Sequence, residues 1–572
     1  MKHNKVLLAG SFLATAMTLG SCVGDLDLSP TDPSVLTPNQ FSENAKENLQ
    51  NAMAGVYLQF ATYGANGDAS VQGFDGGMST FQRALFILEE VPTDEASWIP
   101  NDADYGLFQY GIIPAGNTVV MGTYSRLFIN IAMCNQFIQT VNSGVFGDMD
   151  AETKALADEF VRQARILRAA TYYYAIDCFG NVPYADENVA MTEIAPQLST
   201  DFATGRRMVY DNVVKDLEDV VAWYKANDPN NKPVYGYVGL DVAESILVKF
   251  YLNAEVYTGT PNWQACYDHA DAIIKRLGKG GFNGTGLTKG YHQNFGCDNK
   301  KYVSYAGNGT DGQEIIWTIP QQQTVGNDGK GLLSYANSTF MCNAWIATSP
   351  AGASYTIDQK GDYNSGNGWK CIVAREEFVE LFDWNGAYSA SPDARVKFWK
   401  TAASGFKREN ISLNQADWGN NGFLAVKYTN WSINDNNDID QDASPEPTDQ
   451  LGGDYAMIRL AEIYLSAAEA IMHGAGNEAT ALQYVNNIRA RAGLEAYSTL
   501  SLGALEQERA RELYSESTRR TDLIRYGKWI SGYTWAWKNQ TRRGSDFASN
   551  FNVYPLPSVT VSRNGYTQNP NY

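Results

Sequence analysis

IRLAEIYLSAAEAIMHGAGNEATALQYVNNI (458–488) sets Ile458, Ala461, Leu465, Ala468 and Ile471 on one helix face, breaks at Gly474-Ala475-Gly476, and resumes with Ala481, Val485 and Ile488. Apolar residues three and four apart predict two amphipathic helices, and alanines at the contact positions let them approach closely. The same plan stands far upstream. Ala243, Leu247, Phe250, Ala254 and Tyr257 share a face, Gly259-Thr260-Pro261 breaks the chain, and Ala265, Ala272 and Ile273 mark a second helix. One such pair cannot bury its own apolar face, so the upstream and downstream pairs are expected to stack into a single scaffold.

Recurring helix pairs with small contact residues resemble tetratricopeptide repeats, although no pair carries that repeat's full consensus. Further helical periodicity covers 117–142, 152–179, 205–226 and 503–527, and Thr37-Pro38 opens another helix over Phe41 to Phe60 as an N-cap followed by proline at the first helical position. The reading is a mainly α protein with a tetratricopeptide-like helix-pair scaffold and a loop-rich, short-strand binding region. The helical scaffold is placed at 39–279 and 454–530 of a single body, 39–572, and the loop-rich parts at 63–115 and 280–453. There Gly, Asn, Asp, Ser and Thr crowd the chain, and runs such as Glu314-Ile315-Ile316-Trp317-Thr318-Ile319-Pro320 have β character. Loops on a rigid frame are where binding residues concentrate.

The N-terminus predicts an address. Lys2 and Lys5 precede an apolar run, Val6 to Leu19, that is too short to span a bilayer, and Leu19-Gly20-Ser21-Cys22 resembles a bacterial lipobox. Residues 1–21 are read as a lipoprotein signal peptide, Cys22 as the lipidated residue and 22–38 as an extended tether. A lipid anchor fits the charge. With 44 Lys+Arg against 63 Asp+Glu, a net −19, the surface repels phosphate backbones and anionic headgroups, which argues against nucleic acid and against polybasic membrane docking. The other cysteines, 134, 178, 266, 297, 342 and 371, are scattered and read as small core residues rather than bridges.

Catalytic motifs are lacking. His269, His292 and His473 are isolated, and no H-E-x-x-H, G-x-S-x-G, P-loop or G-x-G-x-x-G context occurs. The expectation is a protein that is not an enzyme and requires no cofactor. A glycoside hydrolase would need a carboxylate pair set by distance in space, which a sequence does not reveal. Asp438, Asp440 and Asp442 alternate as in a calcium loop and are candidate ligands for a structural Ca, although the loop lacks the glycine and the bidentate glutamate of an EF-hand.

The composition holds 13 Trp, 34 Tyr and 24 Phe, and most sit in helical periodicity as packing; Trp317 and Tyr172 to Tyr174 are read as core. A few stand in polar loops instead: Trp98 beside Asn101 and Asp102, Tyr335 in Ser334-Tyr335-Ala336-Asn337, and Trp369 after Asn364-Ser365-Gly366-Asn367-Gly368. An exposed ring there offers its face to the C–H face of a sugar while amides and charged groups bond the hydroxyls.

On these residues the chain resembles the RagB/SusD family of surface-exposed, outer-membrane glycan-binding lipoproteins of Bacteroidota. The likeness runs through Cys22 with Asp25-Leu26-Asp27-Leu28-Ser29-Pro30, Pro92-Thr93-Asp94-Glu95, Arg165 to Ala170 leading to Asp177-Cys178-Phe179-Gly180-Asn181-Val182-Pro183, and Tyr455 to Ala470. It continues in Asn487 to Gly493, Glu508 to Leu513, Arg519 to Arg525 and the terminal Thr567-Gln568-Asn569-Pro570-Asn571-Tyr572. The resemblance implies a fold of about four tetratricopeptide-like helix pairs with a loop-rich remainder, and a non-catalytic lid over a TonB-dependent, SusC-like transporter, to which a captured glycan is delivered. Within the family the chain is similar to the starch-binding founder. Its ligand arc is similar to Trp98, Tyr335 and Trp369, with Arg83, Asn101 and Asp75 beside them, and implies starch or maltooligosaccharides. Where the founder has a second tryptophan, this chain has Pro100. The same scaffold also serves other glycans, such as xylan or fructan, and peptides.

Overall fold

The computed structural model describes residues 38–61, 80–98, 104–304, 312–321, 341, 345, 361, 363–366, 368, 369, 371–384, 391–401, 423–447 and 451–572. Its helices are α1 (Pro38–Glu43), α2 (Ala45–Ala61), α3 (Phe81–Glu89), α4 (Thr118–Asn142), α5 (Ala151–Phe179), α6 (Phe202–Asn227), α7 (Leu240–Leu252), α8 (Ala254–Thr258), α9 (Trp263–Leu277), α10 (Glu376–Glu380), α11 (Leu460–Ala470), α12 (Glu478–Arg491), α13 (Leu502–Leu513), α14 (Arg519–Arg525) and α15 (Ser558–Asn564). The strands are β1 (Ala96–Trp98), β2 (Ile315–Ile319), β3 (Ile372–Ala374), β4 (Lys400–Thr401), β5 (Phe423–Leu424), β6 (Ser432–Ile433), β7 (Ile439–Asp440) and β8 (Tyr455–Arg459).

Side-chain caps start the long helices where the sequence supplies them. Asn117 accepts the amides of Val119 and Val120 at 2.9 and 3.2 Å, Asp150 that of Thr153 at 2.7 Å, and Asp201 that of Thr204 at 2.9 Å. Each cap satisfies amides that have no partner inside the helix. Gly180 ends α5 with φ +67°, and a Cβ there would meet the Phe202 ring at 2.5 Å, so the turn takes glycine on both counts.

The helices pack successively: α4 on α5, α5 on α6, α6 on α7, α7 on α9, α9 on α11, and α11 on α12 and α13. The tetratricopeptide-like scaffold is therefore continuous, with α9 joining the upstream pairs to the downstream ones. Tyr173 packs edge-on to Phe250 at 5.4 Å and Tyr210 does the same at 5.6 Å, which puts the aromatic periodicity of α5, α6 and α7 in one core. Trp317 and Tyr172 to Tyr174 are buried, as expected.

The structure departs from the periodicity in three places. Tyr455–Arg459 is a strand paired with β2, not the first turn of a helix, because both of its faces are covered and its apolar run carries no period. The pattern over 503–527 divides into α13 and α14 around Ser515 and Ser517, which adopt φ of 59° and 57° without a glycine to announce the break. Within the stretch read as loop, all nine residues of α3 are buried, which removes the polar face that would have marked it. Cys134, Cys178, Cys266 and Cys297 are free thiols, and among the described residues no helix is long and apolar enough to cross a membrane.

Candidate functional site

β1 and β3 bring the candidate residues together. They pair antiparallel with Trp98 opposite Ile372, so the loop that reaches β3 through Trp369 and Cys371 arrives at the edge that carries Trp98. β3 pairs on with β5, and β5 with β4. Beneath this small sheet Phe378, Phe382, Trp399 and Tyr514 pack ring against ring at 4.7–6.2 Å, which gives the strands a rigid floor.

Arg83 rises from α3, whose N-cap Thr80 accepts the Arg83 amide at 3.3 Å. Its guanidinium lies 5.7 Å from the centroid of the Trp369 ring, a cation–π contact. Arg83 is only 7 % exposed, whereas Trp369 is half-buried and keeps part of its surface toward solvent. A charge held beneath a partly open indole orients the ring without consuming its surface. Three of the predicted residues, Arg83, Trp98 and Trp369, thus belong to one corner.

Trp98 is not the exposed ring its polar neighbours suggested. It is 1 % exposed, because it closes a strand between β3 and Tyr105, whose ring stacks on it at 5.4 Å with planes 25° apart. Burial here comes from pairing across the sheet, which neighbouring residues in sequence do not report. Tyr105 and Gln109 escaped the sequence reading: Tyr105 covers Trp98 and Gln109 donates from Nε2 to the Trp98 carbonyl at 3.1 Å. Tyr105 stands beside Asp104 in a polar loop, the same signal that selected Trp98. Cys22, Asp75, Asn101 and Tyr335 lie outside the described residues.

Arg375 follows β3 and ties the corner to the C-terminal region, donating from Nε to Ala96 O at 2.8 Å and from Nη1 to Ala536 O. Burial brings this guanidinium down to about 10. It acts as a strut for β1 rather than as a charge presented to solvent.

The predicted calcium ligands do not converge. Asp438 pairs with Lys397, the Asp440 carboxylate accepts the amide of Ala443 at 3.2 Å, and Asp442 is exposed. Asp440 thus serves the turn that follows β7, while Asp438 is drawn away to Lys397. Among the described residues, Glu89, Asp177 and Cys178 are the group close enough to hold one ion, and their space is taken: Arg520 Nη1 lies 2.9 Å from Asp177 and 3.3 Å from Glu89, and the Thr521 hydroxyl donates to both carboxylates. Burial keeps the Cys178 thiol protonated, which makes it a poor ligand.

An apolar cleft of about 360 Å³ opens elsewhere, lined by Tyr57, Phe60, Tyr235, Tyr237, Trp317 and Pro320 among others, and Arg83, Trp98 and Trp369 are not in its lining.

Comparison with known proteins points one way. Residues 313–572 match the profile described as the SusD family. The starch-binding protein SusD of Bacteroides thetaiotaomicron is 28% identical over 614 aligned positions, which take in 100% of this chain and 99% of that protein. SusD-like protein P2 of Formosa agariphila is 23% identical, with 100% of each chain covered. Among solved structures, surface glycan-binding protein A from Bacteroides thetaiotaomicron in complex with laminarihexaose superposes with a TM-score of 0.62 at 18% identity, over 92% of this chain and 99% of that one. A SusD superfamily protein from Parabacteroides distasonis gives 0.63 at 19%, over 92% and 100%.

Proposed function

From the premise that the chain belongs to the SusD family, we propose that it is a non-catalytic surface glycan-binding lipoprotein. It captures starch or maltooligosaccharides and delivers them to a TonB-dependent, SusC-like transporter. The observation that carries the reading is the Trp369 ring, half-buried, braced by Arg83 and set at the edge of the sheet that holds Trp98. An indole in this setting stacks on a pyranose face, and the reading needs no titrating group because nothing is cleaved. Starch is favoured over other glycans by the starch-binding relative, which matches along the whole chain.

A second reading is a β-linked glucan. One neighbour in fold is described as a laminarin-binding SusD-like protein, and another was solved with laminarihexaose. In both readings the anchor is the lipid on Cys22, which places the body at the outer face of the outer membrane.

The test is an affinity gel run with the protein lacking its acyl group. Wild type is retarded by amylopectin and Trp369→Ala is not; laminarin retarding wild type where amylopectin does not would replace the first reading by the second. Retardation by neither, with a peptide pool bound instead, would remove the glycan reading.

A further inference from the structure

Glu89, Glu90, Asp94 and Glu95 are all buried, yet only two of them meet an arginine. Arg519 grips Asp94 through Nε and Nη2 at 2.8 and 2.7 Å, and Arg520 faces Glu89. Glu90 and Glu95 each accept a single backbone amide: Thr518 N–H to Glu90 Oε1 at 3.0 Å and Ser515 N–H to Glu95 Oε1 at 2.7 Å. The other oxygen of each, Oε2, is buried and receives no donor. The two carboxyl groups lie against each other within hydrogen-bonding range.

Two carboxylates cannot both be ionised at such range away from water, and an orphaned buried acceptor is costly. One proton resolves both problems, because a carboxyl that donates to its neighbour's carboxylate fills the two empty positions at once. The local backbone is built around them. Ser515 and Ser517 adopt left-handed φ values of 59° and 57°, uncommon for serine, in the loop whose Ser515 and Thr518 amides point at the pair.

We propose that Glu90 and Glu95 share one proton between their Oε2 atoms, and that this pair is a positioning element for β1 and for the Trp98 it carries. The link is short. Glu95 O accepts the Arg375 amide at 3.0 Å, Ala96 begins β1, and Arg375 Nε holds Ala96 O at 2.8 Å. The positioning role rests on the reading of this corner as the binding site; the shared proton does not.

Burial pushes Glu95 up to about 7 and Glu90 well above the ordinary value of 4.5. The charges that face the pair are Glu89 and Asp94 from the same turn and Lys427 from the segment after β5; Tyr455 of β8 adds its hydroxyl, donated to Ser515 O. Lys427 is itself engaged by Glu516 and Tyr514 O, so it tempers the pair without replacing the proton. Because the folded chain holds the proton more tightly than the unfolded one, the stabilisation is complete below the ordinary carboxylate range and is lost as pH rises through about 7.

The experiment compares wild type with Glu90→Gln and Glu95→Gln, each of which supplies a permanent donor to the remaining carboxylate. Across the window from acidic to neutral pH the wild-type unfolding constant rises by up to about tenfold per pH unit from this one proton. Either glutamine variant flattens that slope, and variants that keep the wild-type slope would overturn the proposal. Wild type alone gives an independent readout in amide exchange at Ser515, Thr518 and Ala96 to Trp98, corrected for the intrinsic rate. Protection there falls as pH rises across the same window, and protection that stays level across it refutes the positioning role. Amylopectin retardation that weakens at alkaline pH in wild type but not in Glu95→Gln completes the case. If no glycan retards any of the proteins while the exchange result holds, the binding reading falls and the shared proton stands.

Discussion

The stacked helices and the seam between residues 89–95 and 506–525 differ in how much of their buried contact is charged. Around Leu247 in α7 the buried neighbours Ala243, Ile246, Val248 and Phe250 are apolar, and the charged groups of the same helix are few, Glu244 pairing with Arg276 and Lys249 with Glu462. Along the seam Asp94 meets Arg519, and Asp177 and Glu89 meet Arg520. Asp522 lies between Arg509 and Arg525, and these charges are almost wholly excluded from water. The helix stack loses stability in proportion to the atoms removed. The seam gains little net energy from each pair, since desolvation opposes the attraction, but it fails badly when one partner is taken away. Burial works against the Asp94 carboxyl, and the Arg519 fork nonetheless holds it below the usual carboxylate range.

Arg520→Ala tests the contrast most severely. It leaves Glu89 and Asp177 facing each other with no cation, and a loss of about 3–5 kcal/mol is expected from denaturant unfolding. Leu247→Ala breaks the other region, with a loss of about 3 kcal/mol that is the same at neutral and at mildly alkaline pH. A pH-dependent loss in that variant would mean the helix stack is coupled to the seam. The smallest effect belongs to the exposed hairpin, where Asp438→Asn removes the partner of Lys397 and changes stability by less than about 0.5 kcal/mol. A larger drop, rescued by added calcium, would revive an ion at that loop.

How far the sequence told this depends on how local each feature is. The helices at 118–142, 151–179, 202–227 and 263–277 have amphipathic periods, so their existence was legible, but the third begins at Phe202, after its cap Asp201, three residues before the start read at 205. Where burial is complete the period vanishes, which hid α3 and disguised β8 as a helix start. The candidate site was legible through family resemblance more than through chemistry. Trp369 behaves as a loop aromatic should, but Trp98 is buried by a strand partner distant in sequence, and Tyr105 was passed over beside it. The acid pair left no trace in the sequence, because two glutamates among 63 acidic residues carry no signal until the fold sets them face to face.

The seam also imposes an order on the life of the chain. Asp94 and Arg519 are separated by 425 positions, so in a polypeptide made from its N-terminus the acidic turn waits for its arginines until nearly all of the sequence has emerged. Until then β1 can pair with β3 while the turn before it lacks its cations, and a product that stops before Arg519 leaves Asp94 without its arginine. The turn that leads into the strand carrying Trp98 is therefore among the last parts of the molecule to mature, and it is completed only once Arg519 and Arg520 have been made.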